Sequence, residues 1–394
     1  MAASESRYSA FLDARAREGL RRSLLTVAAR DSRIIGAEGR SYVNFASNDY
    51  LGLRFNQALI ARAVEWAETY GVGSGASRLV TGNLDLFAPI EAKTAALKGK
   101  PAALVMASGF QTNAAVLQAL FDQTVLGAEP LVFADRLNHA SMHFGCQAAG
   151  VRQLRYRHCD AAHLAELLSQ YQGDERSRFI LTESVFSMDG DVAPLEEIAR
   201  LAREHDACLV VDDAHATGIL GRAGSGLSAN ADIVIGTFSK ALGGFGGYVA
   251  STKTMRDYLI NRCGGIIYST ALPPPVIGAI DAALDLVSGM DEERAHVTRL
   301  AERFRAGASA IGLDTGASTT QIVPVILGSP QAAIGMSERL KRAGLLATAI
   351  RPPTVPVGTA RLRVAFTAAQ EDSDIDRLLD VLAKEDARRP ASAM

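Results

Sequence analysis

The chain has 394 residues, of which 48% are hydrophobic and 21% charged, and its formal net charge is −2. This composition is ordinary for a globular protein, and the length allows two or three domains. The near-neutral charge gives no electrostatic reason to expect nucleic acid or an anionic membrane as a partner, and no apolar run approaches the roughly 20 residues of a membrane span.

The N-terminal stretch and the cysteines both favour a cytoplasmic protein. The first 25 residues are rich in arginine but contain Glu5, Asp13 and Glu18 and lack an apolar core, which argues against a secretory signal or a transit peptide. The four cysteines are Cys146, Cys159, Cys208 and Cys263. Because they show no C-x-x-C spacing, they are typical of reduced thiols, and we expect neither disulfides nor a metal site.

From residue 58 onward, helical and strand patterns alternate along the chain. Helical patterns cover 58–70, 112–120 and 195–204, and buried-strand patterns cover 103–107, 131–134, 179–183, 209–212, 233–236 and 247–250. Alternation of this kind predicts a mostly parallel α/β sheet with helices on both faces, and ligands at the carboxyl ends of its strands.

The pattern changes after about residue 290. Helical patterns at 292–311, 331–343 and 374–384 alternate there with strand patterns at 322–327 and 361–366. We therefore expect an N-terminal segment (1–45), a large domain (46–290) and a small C-terminal α/β domain (291–394). The last eight residues, 387–394, are expected to fray.

The most informative segment, 210–242, places an acid, an imidazole and a lysine at the ends of consecutive strands. One apolar strand stops at Asp212, and the next leads into a glycine-rich loop that carries Lys240. Pyridoxal phosphate needs a lysine for its Schiff base and a buried carboxylate that keeps its pyridine nitrogen protonated. His215 can reach the ring hydroxyl. Alone, Asp212 would be interpreted as a strand-end cap and Lys240 as a solvated charge, but their order favours a cofactor site in the large domain.

Other stretches have two interpretations each. Gly109 and its neighbours join a strand to a helix, where backbone N–H groups can hold a phosphate, although glycine turns before helices are common. His139 follows a buried strand and can stack on a planar cofactor or be purely structural. Ser187, in FSMDGD, can be a simple turn former.

Two arginine-containing stretches are equally open. Arg361 and Arg363 alternate with apolar residues, so they share one face of a strand. That face is either a solvated edge or a guanidinium fork for a carboxylate. Arg351 precedes two prolines that stiffen its loop, and without context it is a surface charge.

Together these stretches resemble the α-oxoamine synthase family of pyridoxal-phosphate enzymes over roughly residues 10–385. The matching segments are SNDYLGL (47–53), GSGASRLVTG (73–82), SGFQTN (108–113), DRLNHAS (135–141), TESVFSMDGDVAPL (182–195), VDDAHATG (211–218), TFSK (237–240) and YSTALPP (268–274). The resemblance implies the aspartate-aminotransferase-like (type I) fold of pyridoxal-phosphate transferases. It also implies a homodimer with active sites at the interface.

The segment AIRPPTVPVGTARLR (349–363) is most similar to family members that serve biotin synthesis. They condense L-alanine with pimeloyl-CoA, or with a pimeloyl carrier protein, and release the thiol and carbon dioxide. Three alternatives stay open: a sister synthase that uses glycine and another acyl-CoA (such as glycine C-acetyltransferase), an aminotransferase with the same fold, and a catalytically inactive subunit. Retention of Lys240, Asp212, His139 and His215 argues against the last.

The resemblance also implies roles for single residues. Lys240 would be the Schiff-base lysine and the base that removes the α-proton, Asp212 would pair with the pyridinium, and His139 would stack over the ring. The other implied cofactor contacts are His215 and Ser187 at the ring oxygen, and Gly109, Phe110 and Thr237 in the set that holds the cofactor and its phosphate.

The substrates would meet a second group of residues. Arg363 would bind the carboxylate of the amino acid, and Arg21 and Thr354 match substrate-contacting positions. Arg351 is our candidate cation for the far carboxylate of the pimeloyl chain, with Arg21 as a second. The chain departs from the family pattern at Ser239, where glycine is common, and at Arg78, which we expect to affect the acyl entrance.

Overall fold

The computed structural model of the chain describes residues 2–386, so the expected fraying of 387–394 lies outside the described residues. The chain divides into two compact units. The smaller combines both ends of the chain, Met1–Ser47 and His296–Met394 as far as they are described, with Met188–Gly190. The larger comprises Asn48–Ser187 and Asp191–Ala295.

The larger unit is built on a seven-stranded sheet. In spatial order its strands are Ala102–Met106, Gly247–Ser251, Ile233–Thr237, Ala207–Asp212, Arg178–Glu183, Leu131–Asp135 and Gln153–Tyr156. The strand Gly247–Ser251 is antiparallel to both of its neighbours, and the other pairs are parallel. The predicted mostly parallel sheet is therefore confirmed.

Helices follow most of these strands. Those of the larger unit are Gln57–Tyr70, Phe87–Lys98, Gly109–Leu120, Gln123–Leu126, Ala140–Ala148, Ala161–Ser169, Leu195–Glu204, Lys253–Arg262, Gly264–Ile267 and Pro274–Val287, with short 3₁₀ turns at Leu53–Phe55 and Arg222–Gly224. The helix Gly109–Leu120 begins three residues earlier than its apolar pattern predicted. Ser108 accounts for the difference, because its hydroxyl caps the helix by accepting the N–H of Gln111 at 3.2 Å.

One face of the helix Gly109–Leu120 is packed on the sheet. Thr112, Asn113, Val116 and Leu117 are all buried, at the spacing of three and four residues that places side chains on one side of a helix. Their apolar members join a core cluster that includes strand residues such as Val210. This packing holds the N-terminal turn of the helix at the carboxyl-end edge of the sheet.

The smaller unit contains two small sheets. The strands Ile322–Gly328, Ala360–Ala365 and Thr348–Ile350 form one, and Val27–Ala29, Ile34–Ala37, Arg40–Asn44 and Leu345–Leu346 form the other, in these spatial orders. Its helices are Ala2–Arg17, Pro330–Arg342 and Asp372–Asp386, and Asp291–Ala310 contains the boundary between the units. Over residues 2–386, no helix has the combination of length and apolar character that crossing a bilayer requires.

The strand Ala360–Ala365 is the central strand of its sheet, with an antiparallel neighbour on each side. Arg361 and Arg363 are only 3% and 6% exposed. The interpretation of these arginines as the solvated face of an edge strand is therefore wrong. Two buried guanidinium groups on one face need acceptors, because desolvating a charge is costly.

A buried ion pair lies directly behind the strand end at Asp212. The next residue, Asp213, has its Oδ2 atom 2.6 Å from Lys98 Nζ, and both side chains are fully buried. Lys98 also donates to the hydroxyl of Thr217 at 2.7 Å and to the carbonyl of Ser225 at 2.6 Å. All three ammonium protons are thus used, which satisfies a cation that has no access to water.

We expect the substitution Lys98→Met to lower the free energy of unfolding by about 3–5 kcal/mol, because it leaves the carboxylate of Asp213 buried without its cation. Denaturant unfolding followed by circular dichroism measures the change. Lys253→Met, at an exposed helix start, is the control and should stay within about 0.5 kcal/mol of wild type. Equal, small effects of the two substitutions would show that the Lys98 pair contributes no net stability.

Candidate active site

A cavity of about 210 Å³ lies at the carboxyl ends of the parallel strands in the larger unit. It is lined by Ser108, Gly109, Phe110, Asn113, His139, Ser141, Glu183, Asp212, Ala214, His215, Ile235, Gly236, Thr237, Ser239 and Lys240. Seven of these were predicted as cofactor-site residues from the sequence: Gly109, Phe110, His139, Asp212, His215, Thr237 and Lys240. Ser187 was also predicted, but it is half-buried in the loop after Arg178–Glu183 and does not line this cavity.

Asp212 is held by two N–H donors. The side-chain amide of Asn113 donates to its Oδ2 at 2.6 Å, and the backbone of Ala214 donates to its Oδ1 at 3.0 Å. Asn113 also donates to the hydroxyl of Ser141 at 3.0 Å. Sequence reasoning missed Asn113, although it sits within SGFQTN one turn from the helix start. Donors on both oxygens hold the carboxylate in one orientation.

His139 caps the helix Ala140–Ala148 and presents its ring to the cavity. Its Nδ1 lies 2.7 Å from the hydroxyl of Ser141. Burial lowers the pKa of His139; the charge of Asp212 acts in the opposite direction, and that of Lys240 adds to the lowering. A neutral ring at neutral pH suits stacking on an electron-poor aromatic cofactor.

His215 is oriented by a tyrosine that sequence reasoning also missed. Its Nδ1 lies 2.7 Å from the hydroxyl of Tyr50, which in turn lies 3.1 Å from Asn48 Oδ1. Tyr50 is fully buried. The segment SNDYLGL, which matched the family without an assigned role, thus holds the imidazole of His215 in one orientation.

The glycine-rich end of the cavity brings Gly109 and Thr237 together. A Cβ atom on Gly109 would lie 3.3 Å from Thr237 Cβ, so a larger residue would crowd this end of the cavity. The hydroxyl of Thr237 donates to the carbonyl of Gly246 at 2.6 Å and accepts the N–H of Ser239 at 3.1 Å. Ser239, where the family often has glycine, therefore connects the loop that carries Lys240 to Thr237 through its backbone N–H.

These residues fit an anionic planar cofactor such as pyridoxal phosphate. The N-terminal turn of a 12-residue helix at Gly109 supplies N–H groups and a positive dipole end for a phosphate. Asp212 is placed for a ring N–H, and Lys240 supplies a primary amine for a carbonyl carbon. The buried Asn113 Oδ1 has no hydrogen-bond partner among the described residues, so the cavity wall keeps an unused acceptor.

The candidate substrate residues belong to the smaller unit. Within it, Arg351 donates to the carbonyl of Gly19, and Arg22 donates to the hydroxyl of Thr354 at 2.9 Å. The structure thus brings the segment that contains Arg21 next to the loop 351–354.

Two other arginines are engaged with acids. Arg361 pairs with Asp189 and also donates to the carbonyl of Met188 at 3.3 Å. Arg78 pairs with Glu91 and donates to Asn83 at 2.8 Å. These contacts hold both guanidinium groups against the protein. An effect of Arg78 on the acyl entrance stays a prediction.

The sequence pattern of the family "Aminotransferase class I and II" matches residues 40–382. The chain belongs to the class I and II aminotransferase family. An 8-amino-7-oxononanoate synthase of Gluconacetobacter diazotrophicus is 54% identical over 383 residues, covering 96% of each chain. The predicted family is therefore confirmed.

Solved structures confirm the type I fold. A structure of serine palmitoyltransferase (SPT) with PLP has a TM-score of 0.89 and 26% identity, covering 98% of each chain. The 8-amino-7-oxononanoate synthase of Francisella tularensis has a TM-score of 0.76 and 27% identity, covering 88% of this chain and 98% of its own. Both likenesses extend across most of this class I and II aminotransferase chain.

Beside the cavity, an imidazole bridges two carboxylates. His158 Nδ1 lies 3.0 Å from Asp135 Oδ1, and Nε2 lies 2.8 Å from Asp191 Oδ2. Burial alone would lower the pKa of His158, but hydrogen bonds to Asp135 and Asp191 raise it to about 12. Although Asp135, His158 and Cys159 lie close enough to share a metal ion, a ring protonated on both nitrogens has no lone pair for one.

The bridge joins the end of the strand Leu131–Asp135 to the turn that follows Ser187. The ring of His158 also stands edge-on to Phe186 at 4.3 Å between centroids, and the N–H of Phe186 donates to the carbonyl of Asp191 at 3.1 Å. The charged imidazole thus fixes both sides of this turn.

We expect His158→Gln to lower stability in a pH-dependent way. A raised histidine pKa stabilises the folded state fully below the unfolded pKa of about 6.5, and the contribution is lost as pH rises through about 12. The difference in unfolding free energy between wild type and variant should therefore be larger at pH 6 than at pH 9. Denaturant unfolding at a series of pH values measures it, with His205→Gln as control. A pH-independent difference would contradict a charged bridge.

Proposed function

We propose that this protein condenses L-alanine with a pimeloyl thioester to give 8-amino-7-oxononanoate, carbon dioxide and the free thiol. The observation that carries the proposal is the meeting of Lys240, Asp212, His139 and His215 in one cavity. It occurs in a chain 54% identical to an 8-amino-7-oxononanoate synthase over 96% of its length. An inactive subunit would have no need for this set of residues.

Pyridoxal phosphate is the cofactor that this cavity fits, and when bound it supplies an electron sink for the carbanion formed at the α-carbon of the amino acid. Lys240 would hold it covalently through Nζ. Asp212 would accept the ring N–H, and His139 would cover one ring face. His215 and Ser187 would address the ring oxygen, while Gly109, Phe110 and Thr237 would form the set that holds the cofactor and its phosphate.

Lys240 would have a second task in the reaction. Its amine would act as the base that removes the α-proton of the amino acid. A new carbon–carbon bond would then form to the thioester carbonyl as the carbon–sulfur bond breaks, and the leaving thiolate would take a proton from solvent. The carboxylate would then leave as carbon dioxide, and one proton would return to the α-carbon to give the aminoketone product. Lys240 would return that proton.

Arginine side chains would position the substrates. Arg363 is proposed to bind the alanine carboxylate, for which a planar guanidinium offers two parallel N–H groups. Arg21 and Thr354 are proposed to contact the substrates. Arg351, whose backbone is restrained by two following prolines, is proposed to meet the distal carboxylate of the pimeloyl chain.

We also propose that the protein works as a homodimer with its active sites at the subunit interface. Large apolar side chains lie exposed in or beside the family-matching segments: Val72 is 80% exposed, Val80 is 74% and Tyr268 is 86%. The segments that carry Val80 and Tyr268 are neighbours, because Ser77 and Thr270 form a β-bridge, and a cluster of exposed apolar groups is typical of a surface that a partner covers.

The proposed function predicts turnover with L-alanine and pimeloyl-CoA, or with the pimeloyl carrier protein, scored as carbon dioxide and free thiol in equal amounts. Glycine with acetyl-CoA should be a much poorer pair, because a pimeloyl site is built to bind a longer acid. Lys240→Ala, which lacks the amine, is the control and should release neither product. Preference for glycine and acetyl-CoA would favour a sister synthase, and a keto acid without thiol release would favour an aminotransferase.

We expect Arg351→Ala to raise the KM for pimeloyl-CoA by roughly tenfold to a hundredfold, the 1.5–3 kcal/mol of a hydrogen bond to a charged group. Alanine KM and cofactor absorption should stay unchanged. A thioester of equal length without the terminal carboxylate is the control and should show a much smaller change. Because Arg351 also donates to Gly19, an equal loss with both thioesters would mean that it shapes its loop instead.

A further inference from the structure

The cavity contains a second buried carboxyl group, Glu183, that sequence reasoning gave no role. Glu183 ends the strand Arg178–Glu183 as Asp212 ends the next strand, and the two residues are register partners in the parallel ladder. Register partners on adjacent strands project from the same face of a sheet. Both line the cavity, and they are 3% and 7% exposed.

Two carboxyl groups this close and this buried do not ionise together readily, because each negative charge disfavours the other. Their surroundings decide which one keeps the proton. Asp212 receives the amide N–H of Asn113 and the backbone N–H of Ala214. Among the described residues, no arginine or lysine forms an ion pair with Glu183. The N–H donors of Asn113 and Ala214 therefore make Asp212 the carboxyl group whose negative charge is better stabilised.

We propose that Glu183 is a positioning residue that carries the proton of the Glu183–Asp212 pair as a neutral carboxylic acid, and so leaves Asp212 ionised for the cofactor. This inference rests on the proposed function, in which Asp212 accepts the ring N–H. If both acids were charged, the cavity would hold an extra negative charge beside the cofactor. If Asp212 held the proton, the ring N–H would lose its anionic partner.

The other charges that face Glu183 agree with a neutral acid. Burial raises the pKa of Glu183 well above its ordinary value, the charge of Asp212 raises it further, and the charge of Lys240 and the backbone N–H of His139 oppose the rise. Asp135, at the end of the neighbouring strand, adds to the rise. The proton therefore stays on Glu183 at neutral pH.

The test is infrared spectroscopy of the full chain, with and without cofactor, in the carbonyl region where protonated carboxylic acids absorb. We expect wild type at pH 7 to show such a band and Glu183→Gln to lose it. Glu91→Gln is the matched control, since Glu91 is paired with Arg78, and should keep the band. Glu183→Met provides the same assignment if the glutamine variant does not fold.

Asp212→Asn supplies the second arm. Without the charge of Asp212, Glu183 should ionise more easily, so its band should disappear at a lower pH than in wild type. In addition, Glu183→Gln mimics the neutral acid and should leave cofactor absorption at pH 7 unchanged.

Three results would overturn the inference: no carbonyl band in wild type, a band that persists in both Glu183 variants, or loss of cofactor absorption in Glu183→Gln at pH 7. None of these depends on which substrates are used. Failure of the proposed function would appear in the product assay with alanine and pimeloyl thioester, whatever the infrared result.

Discussion

The active-site cavity depends on one constraint, the shared direction of neighbouring parallel strands. Because the strands that end at Glu183, Asp212 and Thr237 lie side by side and run the same way, their last residues meet at one edge of the sheet. Residues 29 positions apart in sequence, such as Glu183 and Asp212, thereby become register partners. A carboxylate, a lysine loop and a helix start converge there without any long-range loop.

Charged side chains lie at that edge of the sheet, where water is largely excluded. A buried charge there needs a partner of opposite sign, because desolvating it is costly. The Lys98–Asp213 pair sits on the residue after Asp212, and its polar partners use every donor of the ammonium group. A buried pair of this kind seldom adds stability over apolar packing, but it holds one arrangement of the backbone. The direction of the Asp212 side chain itself is set by the N–H groups of Asn113 and Ala214.

The polar groups around the cavity are also arranged so that few are charged at once. Burial keeps His139 neutral, Tyr50 orients His215, and the proposed proton on Glu183 leaves a single carboxylate for the cofactor. The charged imidazole of His158 lies outside the cavity and is paired with Asp135 and Asp191. A low-dielectric site with one anion and one amine interacts strongly with a charged ring, because little screening remains.

The sequence by itself determined the family, six of the seven strands of the larger sheet, and seven of the fifteen residues that line the cavity. It could do so because buried strands are continuous apolar runs and because Asp212, His215 and Lys240 follow them at fixed offsets. The helix Leu195–Glu204 was located to the residue, since its amphipathic pattern is strong. The N-terminal helix Ala2–Arg17 was missed, because Tyr8, Phe11 and Leu12 are exposed and no buried stripe marks it.

Only the tertiary structure decided which polar side chains meet across strands. Asn113 and Glu183 are ordinary polar residues in the sequence, and their contact with the Asp212 region follows from packing between elements far apart in the chain. The burial of Arg361 and Arg363 likewise depends on strands on both sides, which alternation along one strand cannot reveal. Secondary structure can be predicted from the periodicity of residues that are neighbours in the sequence. Hydrogen-bond partners and protonation states depend on groups that only the folded chain brings together.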